Sequence, residues 1–124
     1  MFFANFFASF VVKFFKTMVE DLIRDIIAFR DERDWAQFHN GKDLSICLAV
    51  EAAELQELFL WKKAEEVNED RLKEELADVL ICALMLVEKY DLSLEDIVRA
   101  KLKRNAEKYP IEKAKGNAKK YDEL

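Results

Sequence analysis

Two glycines and one proline are all that punctuate this chain of 124 residues, and that scarcity constrains its fold more than any other feature. Sheet proteins need turn residues at intervals of about 8–12 positions, and Gly41, Pro110 and Gly116 are far too few to supply them. An all-β chain is therefore excluded and a helical fold is the default. The length suits a single domain. Hydrophobic residues make up 52%, which supports a packed core rather than disorder. Lys and Arg number 20 against 25 Asp and Glu, a net charge of -5. That balance lacks the basic excess of a nucleic-acid-binding face, so no nucleic-acid partner is expected. Cys47 and Cys82 sit inside apolar helical patterns, far apart in sequence and without a neighbouring His or second Cys. They read as core residues of a cytosolic protein rather than as a disulfide or a zinc site.

The first 18 residues hold seven of the ten phenylalanines. Phe2, Phe3, Phe6, Phe7, Phe10, Val11, Phe14, Phe15 and Met18 follow helical i, i+3, i+4 spacing. A secretory signal would place its basic residues first, but Lys13 and Lys16 come late. A membrane span needs about 20 uninterrupted apolar residues, and this stretch is shorter and broken. The segment reads as an extra amphipathic helix that packs on the bundle or on a second subunit. Membrane contact through residues 1–18 is the next reading, and an extension without a native role is a third. The expected division is a Phe-rich extension over residues 1–18 and one domain over residues 19–124.

From Val19 the apolar spacing predicts a helix to about Phe38, broken by FHNGKD with Asn40 and Gly41 in the turn. Asp43 or Ser45 is available as an N-cap for a second helix, from about Leu44 to Lys63. A third runs from about Asp70 to Tyr90. Ser93, with Asp96 three residues on, resembles a capping box for a fourth, from about Leu94 to Lys108 before Pro110. Short connections imply antiparallel neighbours, so the expected fold is all-α: an antiparallel four-helix bundle core with the extra N-terminal helix, assembled as an oligomer.

Most charges belong to a solvated surface, but four acids fall in apolar stripes. Glu51 lies in line with Leu44, Leu48, Leu55 and Leu58, and Glu54 with Cys47, Val50, Leu58 and Trp61. Glu75 lies in line with Leu72, Val79, Cys82 and Leu86, and Asp78 beside Cys82 and Met85. Each helix thus presents two inward acids at i, i+3. Glu57, Glu65, Glu66 and Glu69 read as solvent-facing. Unpaired carboxylates in an apolar interior cost several kcal/mol each, and their mutual repulsion adds to that. A cation would neutralise them, and all-oxygen ligation favours Mg²⁺ or Mn²⁺ over zinc. The alternative is a set of structural salt bridges from Arg71, Lys73 or Lys101.

Glu51-x-x-Glu54 followed after about twenty residues by Glu75-x-x-Asp78 resembles the MazG-like superfamily of all-α nucleoside triphosphate pyrophosphohydrolases. The chain looks most like its dCTP pyrophosphatase branch. Supporting stretches are RDERDWAQFHNGKDL, EAAELQELFLW, EELADVLI, KLKRNAEKYP and KAKGNAKKY, in order over about residues 19–121. An ExxE alone means little, whereas co-linear blocks are specific. The resemblance implies hydrolysis of a nucleoside triphosphate between its α and β phosphates, to the monophosphate and pyrophosphate. It implies that Glu51, Glu54, Glu75 and Asp78 hold Mg²⁺, which orients the triphosphate and activates a water. By the same resemblance Trp35, His39 and Trp61 contact the base and sugar, and Lys101, Asn105 and Lys108 contact phosphate.

The chain departs from that pattern at three places. Cys82 stands where dCTP-type relatives often carry Tyr, Gly41 where many carry Pro, and Ala52-Ala53 where others have a Gly-containing pair. The first removes a candidate base contact, so the expectation is an enzyme that favours dCTP but tolerates other deoxynucleotides. The C-terminal YDEL is not an endoplasmic reticulum retrieval motif. The resulting expectation is a cytoplasmic house-cleaning enzyme acting as a homodimer or homotetramer. A non-catalytic helical interaction module, and a related pyrophosphohydrolase acting on phosphoribosyl-ATP, are the competing readings.

Overall fold

The computed structural model describes the backbone of residues 2–124 and the side chains of residues 11, 13 and 18–124. It is all-α. Helix α1 spans Phe2–Asp31, α2 Gly41–Glu57, α3 Glu69–Lys89, α4 Leu94–Lys108 and the short α5 Ile111–Ala114. The four long helices expected from the sequence are all present. Among the described residues, no helix is long and apolar enough to cross a membrane.

The helix ends correct the sequence reading. The Phe-rich segment is not a separate element, because the backbone of α1 runs unbroken from Phe2 through residue 18. How its phenylalanine face packs lies outside the described residues. At its other end α1 stops at Asp31, short of Phe38. Arg33 and Asp34 accept only three-residue turns, their amides donating to the carbonyls of Arg30 and Asp31. Asp34 then takes a left-handed conformation, φ 54°, which Asp tolerates better than most residues. Trp35–Phe38 form a separate 3-10 turn.

Asn40, rather than Asp43 or Ser45, caps α2: its Oδ1 accepts from the Asp43 amide at 2.9 Å. Gly41 lies inside the first turn, where a Cβ would collide with the Tyr90 hydroxyl at the far end of α3. The absence of a side chain there lets the two helix ends approach. Helix α2 ends six residues early, at Glu57. The run Leu58-Phe59-Leu60-Trp61 offers no single apolar face, and it unwinds through three-residue turns from Phe59 to Gln56 and from Leu60 to Glu57. Asn68 caps α3, accepting from the Arg71 amide at 3.0 Å. Ser93 caps α4 as expected, accepting from the Asp96 amide at 3.3 Å.

The chain forms two compact units, the first ending at Tyr90 and the second spanning Asp91–Leu124. In the first, α2 packs chiefly on α3, and α1 leans on α3. Among the described residues, the buried apolar side chains are Leu44 from α2 and Cys82, Leu84, Met85 and Val87 from α3. Arg30 at the end of α1 reaches Glu88 of α3 at 3.3 Å. In the second unit, the tail folds back on the end of α4. The Tyr121 ring stands edge-on to Tyr109 at 6.0 Å, and the Lys108 ammonium sits 4.7 Å above it.

Candidate active site

The α2–α3 pair positions the acids. The helices run antiparallel, so a step of one turn along α2 meets a step of one turn back along α3. Cys47 meets Cys82 at one level, and Glu51, Glu54 and Glu75 converge further along, with one carboxylate oxygen of each within 4.8 Å of the others. Asp78 falls outside that tight group, yet its charge acts on Glu51.

Burial is uneven, which corrects the expectation of four inward carboxylates. Glu75 is 8% exposed and Glu51 half-buried, whereas Glu54 and Asp78 are exposed. The stripe that each helix buries is narrower than two positions at i, i+3. Burial raises the Glu51 carboxyl above its usual range, the charges of Glu54, Asp78 and Glu75 raise it further, and the Cys47 thiol partly offsets them. That thiol donates weakly to Glu51 Oε1 at 3.9 Å.

One of the salt bridges weighed as an alternative does form. Arg71 on the preceding turn of α3 donates to Glu75 Oε1 at 2.8 Å, and lies 3.8 Å from Glu74. Lys73 pairs instead with Glu69 and Asp70. One guanidinium against three converging carboxylates leaves the group short of positive charge. Opposite ligands of a small hard cation stand about 4.2 Å apart, so oxygens within 4.8 Å need little movement to enclose one. The donor set suits a divalent cation with oxygen preference.

A cavity of about 350 Å³ opens beside the acids, lined by Glu54, Glu57, Leu58, Lys62, Asn68, Arg71 and Glu75. Lys62 and Arg71 give it two cations next to the carboxylates. Sequence reasoning treated Arg71 only as a salt-bridge partner and passed over Lys62. The available signal was that both flank the link between α2 and α3, close to the acids.

The remaining expected contacts are placed separately. Trp35 and His39 do not share a helix face, because the chain there is a 3-10 turn with His39 at its end, φ -98° and ψ 73°. Trp35 stands edge-on to Phe29 at 6.0 Å, with the Arg33 guanidinium 3.6 Å above the Phe29 ring. His39 Nδ1 is buried without a hydrogen-bond partner among the described residues. Trp61 lies beyond the end of α2 instead of closing it, at φ 60° and 95% exposed. Lys101, Asn105 and Lys108 lie on α4, in the second unit, where Asn105 is half-buried and Lys108 rests on Tyr121.

The model of the MazG-like family matches residues 46–124, which takes in both acid pairs. The chain belongs to the MazG-like family. Relatives support that membership over most of the chain. The dCTP pyrophosphatase 1 of Bos taurus is 37% identical over 114 residues, covering 86% of this chain and 68% of that protein. The dCTP pyrophosphatase 1 of Homo sapiens is also 37% identical over 114 residues, covering 86% and 67%. Among solved structures, a pyrophosphatase from Archaeoglobus fulgidus matches with a TM-score of 0.70 at 35% identity, covering 73% of this chain and 91% of that one. The all-α fold is thus that of a MazG-like chain.

Proposed function

We propose that this MazG-like chain is a nucleoside triphosphate diphosphatase that takes dCTP, tolerates other deoxynucleoside triphosphates, and releases the monophosphate and pyrophosphate. The observation that carries the reading is the convergence of Glu51, Glu54 and Glu75 beside a cavity edged by Arg71 and Lys62. The dCTP pyrophosphatase relatives supply the substrate class. When bound, Mg²⁺ or Mn²⁺ would neutralise the triphosphate and supply an activated water. Glu51, Glu54, Glu75 and Asp78 would hold the ions, and a carboxylate of this set would accept the proton of the attacking water.

Arg71 and Lys62 attract the phosphates from the rim of the cavity, and Lys101, Asn105 and Lys108 remain the phosphate contacts that the family resemblance implies. Trp61 offers a solvent-facing ring for a base to stack on. Its left-handed backbone costs an aromatic residue on the order of 1–3 kcal/mol, which favours a functional reason for its position. Trp35 and His39 complete the base and sugar contacts. Residues 19–124 form the catalytic domain of a cytoplasmic, oligomeric house-cleaning enzyme, with residues 1–18 as an extension to it.

Stacking discriminates poorly between bases, since every base has a π-face. Cys82, at the position where the resemblance leads one to expect tyrosine, is buried and offers no hydroxyl to read the base. Preferences among the four deoxynucleotides should then stay within about tenfold to a hundredfold, roughly 1.4 to 2.8 kcal/mol. Pyrophosphate release across that panel, with Mg²⁺, with Mn²⁺ and with chelator, tests the reading on wild type, Glu51→Gln and Asp78→Asn. Turnover should need the metal and fall at least about a hundredfold in both variants, about 3 kcal/mol of barrier, while far-UV circular dichroism is unchanged. Full activity in either acid variant, or wild-type rejection of three of the four substrates by more than about a thousandfold, would sink the proposal.

A further inference from the structure

The sequence reading treated Cys47 and Cys82 as separate core residues, but the fold brings them together. They stand on α2 and α3, 35 positions apart in sequence, with their sulfurs 2.8 Å apart. Non-bonded heavy atoms usually rest about 3.5–4.0 Å apart, and a sulfur–sulfur bond is about 2.05 Å long. Both are free thiols, and they differ in access: Cys47 is half-buried and Cys82 is 4% exposed.

We propose that Cys47 and Cys82 form a thiol-modification site, at which a small-molecule disulfide of the glutathione class is reduced as the two cysteines close a reversible clasp between α2 and α3. The Cys47 thiolate attacks one sulfur of the small disulfide, forming a mixed disulfide and expelling one small thiolate. The Cys82 thiol, whose ionisation burial and Cys47 oppose, gives up its proton as it attacks Cys47 Sγ, forms the intramolecular bond and expels the second small thiolate. The two protein protons pass through solvent to the two leaving thiolates. Two protein thiols are oxidised and one small disulfide is reduced to two thiols. Exposure assigns the order, because an incoming disulfide can reach Cys47 but not Cys82. Disulfides that form in reducing compartments are characteristically transient, which fits a reversible clasp rather than a structural cross-link. Glu51 lies one turn beyond Cys47 and Asp78 one turn before Cys82, so the clasp fixes helix spacing next to the acid cluster. This inference does not depend on the catalytic reading.

The test uses the full chain, reduced, freed of reductant and incubated with oxidised glutathione, then denatured and alkylated for intact-mass analysis. Wild type should lose the mass of two hydrogens, carry no glutathione and no alkyl label, and regain both labels after dithiothreitol. Its thermal midpoint should rise by at least about 5 °C on oxidation and return on reduction. Cys82→Ser should stop at a stable glutathione adduct on Cys47, and Cys47→Ser should stay unmodified while folded. Cys82→Ala serves in place of the serine variant if that variant loses its helical signal. A stable adduct on wild type, two unreacted thiols, disulfides between chains on a non-reducing gel, or an unchanged midpoint after closure would each overturn the proposal.

Discussion

A glutamate whose burial and charged neighbours all oppose its ionisation ionises at higher pH than a free one, and Glu51 is in that position. Its neighbours Glu54, Asp78 and Glu75 oppose its ionisation, as does its burial, while the Cys47 thiol helps only weakly. The sign of the pH dependence follows. An unfolded glutamate ionises near 4.5, and the folded Glu51 ionises higher. Below 4.5 both states hold the proton, so the group contributes nothing to stability. As pH rises from there to the raised value, the unfolded state releases its proton first, and above that window the full penalty falls on the fold. The thermal midpoint of metal-free protein should therefore decline across the window, and Glu51→Gln should flatten that decline. Mg²⁺ should oppose it, because an ion stabilises the charged set. Midpoints measured with chelator from about pH 4 to 7 check this, and an equal decline in wild type and Glu51→Gln would contradict it. The acids themselves were legible from i, i+3 spacing on apolar stripes. The exposure of Glu54 and Asp78 was not, because a stripe shows a direction on a helix but not how wide a strip the neighbour covers. Nor could spacing show that Arg71 would pair with Glu75.

The helices were legible where apolar residues recur with one period, and illegible at their ends. The centres of α2 and α3 and the whole of α4 sit where the pattern places them, since burial of one face selects both helix and register. Ends depend on caps and on single backbone conformations, which carry little periodic signal. The residues 35–38 kept an apolar rhythm, yet the left-handed Asp34 had already ended α1. The run after Leu55 looked helical by composition, but four consecutive apolar residues share no face, and Trp61 departs to φ 60°. At the start of α2 the sequence offered Asp43 and Ser45 as caps, and the backbone geometry gives the cap to Asn40 instead. That choice is testable. Asn40 also donates through Nδ2 to Asp43 at 2.6 Å, so Asn40→Ala removes both bonds and should cost about 1 kcal/mol. Ser45→Ala should cost less, because the Ser45 hydroxyl only bonds back to the Lys42 carbonyl within the helix. Urea denaturation of the two variants, read as a shift in midpoint at constant slope, distinguishes them. A larger loss from Ser45→Ala would return the cap to the position the sequence suggested.

At the scale of the molecule, apolar surface exceeds what one chain covers. Large side chains repeat at helical spacing on outward faces: Ile46 and Val50 on α2, Leu76 and Leu80 on α3, Leu22 and Phe29 on α1. All six are exposed. Half-covering a side chain of this size leaves about 1 kcal/mol of burial unrealised, so the six represent on the order of 6 kcal/mol per protomer, before the entropy cost of association. A chain of 124 residues has too little interior to take them in by itself. A second copy offers matching faces, because a two-fold axis sets each stripe against its own equivalent. We therefore expect a dimer or tetramer at micromolar concentration in sedimentation velocity. Leu80→Glu, which puts a charge on the outward face of α3, should shift that equilibrium toward monomer. Deleting residues 1–16 should leave turnover intact while changing assembly or solubility, because the acids and the cavity all lie between Glu51 and Glu75 or at Asp78. A wild type that sediments as a monomer would refute the argument from surface. Loss of turnover in a well-folded deletion would instead give the phenylalanine-rich end of α1 a part in the active site, and the expected assembly would then have to bring that end to the acids.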